Sequence, residues 1–351
     1  MEPPATDEVL IRREGRAGRI TMNRPKALNA LTWGMLGRIW EALLAWRDDP
    51  AVGLVLLDGA GERGLCAGGD VRALCESRAH GSGHARAFWR DEYRLNALIG
   101  RYPKPYVALQ DGIVMGGGIG LSAHGRHRIV TERSRLAMPE TGIGLIPDVG
   151  GTWLLARAPG EAGIYLGLTG DGMGAADALH AGFADSFVPF AALSALVERL
   201  SDPNGGDVAA VVAGAAQPPA ASALAERAGD IDRLFSGASV EAIAASLAGD
   251  GSDWAAKAAS ALAQKSPKSL KLALAAIRNA RALPSLEDAL KVEYRLVVRL
   301  FEDGEFPEGV RALLVDKDRK PRWSPPDLAG VGDGLVARYL APLPEPEELT
   351  F

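Results

Sequence analysis

The chain has 351 residues, 47% hydrophobic and 24% charged, an ordinary balance for a globular protein with one large or two modest domains. A net charge of −5 and a pI near 5.7 exclude a global basic field for nucleic acid or an anionic membrane, so any phosphate binding must be local. Two cysteines, Cys66 and Cys75, are too few for a disulfide scaffold and the wrong set for a zinc site, which favours a reducing compartment.

The opening MEPPATDEVLIRREG lacks an apolar signal-peptide core and carries Glu2, Asp7 and Glu8 where a mitochondrial targeting sequence avoids acids; the expected location is the cytoplasm. No apolar run approaches membrane-spanning length. Residues 8 to 23 read as two short strands, VLIRRE and GRITMN, joined by a turn around Gly15 and Gly18. Thr32 opens a helical pattern with Leu36, Ile39, Trp40, Leu43 and Leu44 on one face, closed by Asp48-Asp49-Pro50. GLVLLDG at 53 to 59 is a continuous apolar run typical of a strand buried on both faces. A glycine turn, CAGGD at 66 to 70, follows, with a helix from about Asp70.

The same order returns. A helical stretch from about His84 to Ile99 leads to an apolar strand, PYVAL, then a glycine turn, DGIVMGGGIG at 111 to 120, and a short helix through Ala123. RHRIVTE at 126 to 132 is a further strand. Strand, glycine turn and helix, repeated, argue for an α/β architecture with adjacent buried strands. From about Pro189 the pattern is helical nearly throughout, including the alanine-rich 203 to 262. SPKSLKLALAAIRNAR and SLEDALKVEYRLVVRLFE are amphipathic helices, each begun by a serine suited to N-capping. Prolines at 321 to 326 and 342 to 346 mark a tail that wraps or frays. The expected division is a strand-bearing core over 1-188 and a mainly helical region over 189-351.

One loop stands out chemically. MPETGIGLIPDVGG, residues 138 to 151, sets Glu140 and Asp148 among glycines, prolines and aliphatics with no other charge. A carboxylate held against apolar walls has its ionised form disfavoured, one way an acid is tuned for proton transfer or nucleophilic attack. The alternative is that each acid caps a helix. Gly116, Gly117 and Gly118 follow a strand and precede a helix, where backbone N–H groups can face an oxyanion; glycine used only for close packing is the other reading. A second turn at Gly68-Gly69 favours the first, since two turns supply two donors to one carbonyl oxygen. No dinucleotide or P-loop fingerprint fits. GLSAHG around Ser122 lacks a nucleophile elbow, and His80, His84, His127 and His180 show no metal spacing. Cys66, in the glycine turn, could be a nucleophile, but a small buried thiol beside alanine and glycine is the commoner case.

Three stretches carry a resemblance: GLCAGGDVRAL, KPYVALQDGIVMGGGIGLSAHGRHRIVTERSRLAMPETGIGLIPDVGGTWLLAR, and EYRLVVRLFEDGEFPEGVRALLVDKDRKPRW. From about residue 8 to its end the chain resembles the crotonase (enoyl-CoA hydratase/isomerase) superfamily. The resemblance implies an α/β fold, a crotonase-like spiral of β-β-α repeats followed by a helical C-terminal region. It further implies a thioester oxyanion held by the N–H groups of Gly69 and Gly117. Coenzyme A would lie against Lys26, Ala27 and Leu28 and the turn of Ala67, Gly68, Asp70 and Val71, although a solvated Lys26 is an equally fair reading. Hydratases of this superfamily use two glutamates; the first falls at Gly120, so that carboxylate is missing. The second matches Glu140, and Asp148 stands where the superfamily's thioester hydrolases carry aspartate and hydratases glycine. Glu92 matches a substrate-contacting glutamate of those hydrolases; pairing with Arg90 or Arg94 at the surface is the alternative.

The expected activity is therefore hydrolysis of a short branched β-hydroxyacyl-CoA thioester of the kind valine breakdown produces. No cofactor and no metal are implied, coenzyme A being part of the substrate. The expected partner is the acyl-CoA alone, with neither nucleic acid nor membrane, in a homo-oligomer such as a trimer or dimer of trimers. The rivals are an enoyl-CoA hydratase or isomerase, and a non-catalytic CoA-ester-binding protein, whose mark would be loss of Glu140 or Asp148.

Overall fold

The structure, a computed structural model, describes residues 8–351; Glu2 and Asp7 of the targeting argument lie outside the described residues. The eight strands are β1 (Val9–Glu14), β2 (Ala17–Met22), β3 (Leu54–Gly59), β4 (Tyr106–Gln110), β5 (Ile113–Met115), β6 (His127–Val130), β7 (Arg135–Ala137) and β8 (Ser186–Phe187). Helices up to the last strand are α1 (Trp33–Arg47), α2 (Val71–Ser77), α3 (Gly83–Gly100), α4 (Gly117–Ser122), α5 (Gly151–Leu155), α6 (Ala162–Thr169) and α7 (Ala175–His180). Beyond it come α8 (Leu193–Ser201), α9 (Val208–Ala215), α10 (Ala223–Glu226), α11 (Ala228–Phe235), α12 (Val240–Asp250), α13 (Asp253–Ala263), α14 (Pro267–Ala280), α15 (Leu286–Glu302), α16 (Glu305–Val310) and α17 (Asp333–Leu340). The last strand ends at Phe187, and helices alone follow it among the described residues.

Packing divides the chain differently, into two interleaved compact units. One comprises residues up to Asp70, Arg94–Leu136 and Met173–Ala223; the other comprises Val71–Tyr93, Ala137–Gly172 and Leu224–Phe351.

The first unit holds a six-stranded sheet ordered β1-β2-β3-β4-β6-β8. β1 and β2 form an antiparallel hairpin, and every later pair is parallel, with Ile20 opposite Leu57 and Leu57 opposite Ala108. Central strands covered on both faces read as apolar runs, which is why LVLL and YVAL were legible. Alternate residues Leu54, Leu56, Val107 and Leu109 pack on Leu196 and Leu200 of α8 and Val208 and Val212 of α9. Thr32 caps α1 by accepting from the Met35 N–H at 3.3 Å. The buried stripe of α1 is Met35, Leu36, Ile39, Ala42 and Leu43, whereas Leu44, expected on it, is exposed because it falls beyond the roughly 100° arc that faces the core.

The expected glycine turn at 111 to 120 is shorter than the sequence suggests. Ile113–Met115 is a strand that pairs with β7 in a two-stranded sheet, and Cys66 adds a bridge to it, its N–H donating to Ile113 O at 3.2 Å and its O accepting from Met115 N–H at 3.0 Å, pairing that no local pattern reports.

The second unit is mainly helical. Ser266 and Ser285 cap α14 and α15 by accepting from the Ser269 and Asp288 N–H groups. Trp89 packs edge-on to Phe301 at 5.6 Å and against Phe306 at 5.9 Å. The proline-bearing tail wraps: Arg295 pairs with Glu348 at 2.9 Å, Arg299 donates to the carbonyls of Tyr339 and Ala341, and Leu343 and Leu349 are buried.

Candidate active site

The loop at 138 to 151 is built by turn chemistry. Glu140 heads a 3-10 turn, Glu140–Ile143, that ends at Gly144 with φ +74°. A Cβ at Gly144 would lie 2.4 Å from Glu305 O, and one at Gly309 would lie 2.2 Å from Ile143 O, so only glycine lets this turn close onto α16. Thr141 anchors it, donating from Oγ1 to Leu168 O at 3.2 Å and accepting from Ser266 N–H at 3.0 Å. At the far end Val149 has φ 53°, a left-handed conformation that is costly for a β-branched residue. That strained residue directly follows Asp148.

Glu92, Glu140 and Asp148 are 3%, 5% and 5% exposed, and Glu293 of α15 is fully buried. None of the four forms an ion pair among the described residues. Tyr93 donates from Oη to Asp148 Oδ2 at 2.6 Å. Burial pushes Asp148 up to about 7, with the Tyr93 hydrogen bond pulling the other way. Glu140 is held well above the usual carboxylate range by burial and then by the charge of Asp148. Glu92 is raised for the same two reasons. One Glu140 oxygen, Oε2, is buried with no hydrogen-bond partner. Half-buried Lys265 lies beside the Gly142 and Gly170 backbones, and its charge favours ionised Glu140.

The capping alternative is not what the geometry shows. Pro139 precedes the 3-10 turn without a side-chain cap, and α5 begins after Gly150, not Asp148. The N–H groups of Gly150 and Thr152 instead go to Glu293, at 2.7 and 2.9 Å, and the Thr152 hydroxyl donates to it as well. Asp148 is thereby left to Tyr93. The surface pairing considered for Glu92 is also replaced: Arg90 bonds Asp91, while Glu92 is buried.

In the other unit the two glycine turns come together. Gly118 sits so close to the first turn that a Cβ would lie 2.3 Å from Cys66 O, and a Cβ on Gly68 would lie 3.9 Å from Gly117 N. Among the described residues neither the Gly69 nor the Gly117 N–H donates to a protein acceptor. Leu28 O accepts from Ala67 N–H at 3.0 Å and Gly68 O from Leu31 N–H at 2.9 Å, tying the Lys26-Ala27-Leu28 segment to the turn. Lys26 and Ala27 are exposed, Asp70 pairs with Arg24 at 3.1 Å, and Val71 is the first residue of α2. Gly120 is buried within α4. Ser122 donates to Gly118 O at 2.7 Å and accepts from Gln110 at 3.0 Å, a packed hydroxyl and not a nucleophile. Cys66 is buried, and burial raises the Cys75 thiol to about 12, so Cys75 is not poised as a thiolate. Among the described residues no three His, Cys, Asp or Glu are grouped to hold a metal.

Three site residues escaped the sequence reading: Tyr93, Glu293 and Lys265. Glu293 had a signal, an acid at helical spacing from Ala289, Leu290, Leu296 and Val297, all buried. Lys265 had none, being one lysine among many.

Residues 17–340 match the enoyl-CoA hydratase/isomerase family. The chain is 44% identical to the mitochondrial 3-hydroxyisobutyryl-CoA hydrolase of Danio rerio, covering 98% of this chain and 92% of that protein, and 41% identical to that of Homo sapiens, covering 93% and 86%. It is 48% identical to a crystal structure described as a carnitinyl-CoA dehydratase from Mycobacterium thermoresistibile, with a TM-score of 0.93 and 99% of each chain covered. An enoyl-CoA hydratase from Rhodobacter sphaeroides follows at 46%, with a TM-score of 0.89, covering 98% of this chain and 100% of that one. With its parallel sheet, its paired glycine turns and its helical C-terminal region, the chain belongs to the enoyl-CoA hydratase/isomerase family and has the crotonase fold.

Proposed function

We propose that the protein hydrolyses 3-hydroxyisobutyryl-CoA to 3-hydroxyisobutyrate and coenzyme A, a thioester cleavage of valine catabolism. The observation that carries the reading is the buried acid pair: Glu140 with a partnerless oxygen, and Asp148 beside it electrostatically and bound to Tyr93. Curated relatives over nearly the whole chain bear the hydrolase name.

In this reading the Gly69 and Gly117 N–H groups stabilise the charge that develops on the thioester oxygen as the tetrahedral species forms. Burial and then the charge of Asp148 hold Glu140 above the usual carboxylate range, and burial lifts Asp148 to about 7. Glu140, once ionised, attacks the carbonyl carbon or activates water; Asp148 orients the nucleophile or passes a proton to the departing thiolate. Trapping with hydroxylamine separates the two routes, since only direct attack builds an acyl–Glu140 anhydride. Glu92 accepts a hydrogen bond from the substrate's β-hydroxyl. Coenzyme A lies along Lys26, Ala27, Leu28 and the Ala67, Gly68, Asp70 and Val71 turn. The reading requires both sets of residues to act on one thioester.

A second reading, hydration of an enoyl-CoA, is favoured by the dehydratase and hydratase descriptions of the two solved structures named above. Gly120 opposes it, for it supplies no second acid. The test measures free-thiol release from a panel of acyl-CoAs and, in parallel, water addition to an enoyl-CoA. Thiol release fastest with 3-hydroxyisobutyryl-CoA is expected; water addition without thiol release overturns the proposal.

The homo-oligomer, trimer or dimer of trimers, belongs to the same reading and is measured by sedimentation. The curated relatives are named mitochondrial, and no described helix is long and apolar enough to cross a membrane; a cytoplasmic location is proposed, with cell fractionation as its test.

A further inference from the structure

We infer that Glu293 is a positioning residue: from α15 it holds the 148–152 turn so that Asp148 faces Tyr93 in the acid site. The inference rests on the hydrolase reading for its kinetic part and on geometry for the rest.

Glu293 accepts three hydrogen bonds, from the N–H groups of Gly150 and Thr152 and from the Thr152 hydroxyl, so both of its oxygens grip the residues just after Asp148. The first N–H groups of a helix have no intrahelical acceptor, and α5 takes its acceptor from a residue 143 positions away from Gly150 in sequence. Between Asp148 and Gly150 lies Val149 at φ 53°, a conformation that persists only if both sides are held. The next residue of α15, Tyr294, packs edge-on to Tyr93 with ring centroids 6.2 Å apart. One helix turn thus fixes both partners of the Tyr93–Asp148 hydrogen bond.

A carboxylate is a costly choice for this task. Its burial with no cation partner raises it to about 8, despite three donors that favour the charge. An apolar residue would fill the space but leave two N–H groups and a hydroxyl without acceptors. The titratable groups around it are Asp148, Tyr93 and Glu140, with Glu92 and Lys265 acting in turn on the same acids.

The test uses the full chain. Glu293→Gln keeps the shape but puts an amide donor where an N–H must be accepted. Expected are a fall in kcat of about tenfold or more and a KM within about threefold of wild type, because the acid, not the CoA contact, is displaced. The ionisation near pH 7 in kcat/KM should also move to higher pH, since an Asp148 displaced from Tyr93 loses the hydrogen bond that favours its charge. A folded variant with wild-type kcat and an unmoved pH profile overturns the inference.

Should Glu293→Gln fail to fold, Thr152→Val removes one donor only. It should lower kcat about threefold, with Thr152→Ser restoring it; unchanged kcat in Thr152→Val overturns the inference. If the wild-type protein releases no thiol, the hydrolase reading fails by itself. The inference is then read from a crystal structure of Glu293→Gln, where the Asp148 carboxyl should leave Tyr93 Oη by more than about 1 Å; an unmoved turn overturns it.

Discussion

The Tyr93 hydroxyl donates a 2.6 Å hydrogen bond to Asp148 Oδ2, and both side chains are buried. This bond holds the Asp148 ionisation near 7 against burial, which would lift it further. Tyr93→Phe should therefore move the ionisation of kcat/KM to higher pH and lower activity at pH 7 by about tenfold. Leaving the carboxyl without its donor should also cost about 1–3 kcal/mol of stability. A pH–rate profile and a denaturant titration check both effects, and a profile shifted to lower pH would contradict this account of the bond.

Glu140→Gln keeps the side chain's shape and removes its ability to act as base or nucleophile. Thiol release should fall by about two to four orders of magnitude, roughly 3–5 kcal/mol in the barrier, with acyl-CoA affinity nearly unchanged. Asp148→Gly, the hydratase-like residue, should lower hydrolysis by about tenfold or more and gain no hydratase activity, since Gly120 still lacks an acid. Steady-state kinetics with both reactions decide; near-normal turnover in Glu140→Gln sinks the assignment.

Glu92 lies on α3 among buried Phe88, Trp89 and Leu95. A site built to bond a hydroxyl rejects an analogue that lacks it, because a buried polar group is then left unpaired. Glu92→Ala should lose more kcat/KM on 3-hydroxyisobutyryl-CoA than on isobutyryl-CoA. An unchanged ratio of the two would remove Glu92 from substrate choice.

Four buried acids also set how stability depends on pH. Asp148 and Glu293 are raised to about 7 and about 8, and Glu92 and Glu140 move in the same direction. Raised acids give a contribution that is fully present below their unfolded values near 4 and is lost as pH rises through 7 to 8, because the unfolded chain releases these protons first. The melting temperature should fall by about 5 °C between pH 5.5 and 8.5, with a shallower fall in Glu293→Gln. Calorimetry across that range tests the sign. Ion-paired Glu14, Glu241 and Glu308 are lowered instead and act below this window.

Much of the molecule was legible in its sequence where one segment carries its own cause. The buried runs LVLL and YVAL announce central strands, Thr32, Ser266 and Ser285 announce helix starts, and the apolar setting of Glu140 and Asp148 marks them as unusual acids. These features follow from local propensity, side-chain period and the cost of placing charge among aliphatic residues. What only the tertiary structure decided is which distant groups meet. A reader of the sequence sees Asp148 followed by Val149-Gly150-Gly151 and assigns it a capping role; in the fold that role belongs to Glu293, and Asp148 turns to Tyr93. In the same way the strand within DGIVMGGGIG exists because β7 pairs with it and Cys66 bridges to it. A hydrogen bond depends on distance in space, so its partner need leave no trace in the neighbouring residues, and the acceptor for the α5 N–H groups could come only from the packing of α15.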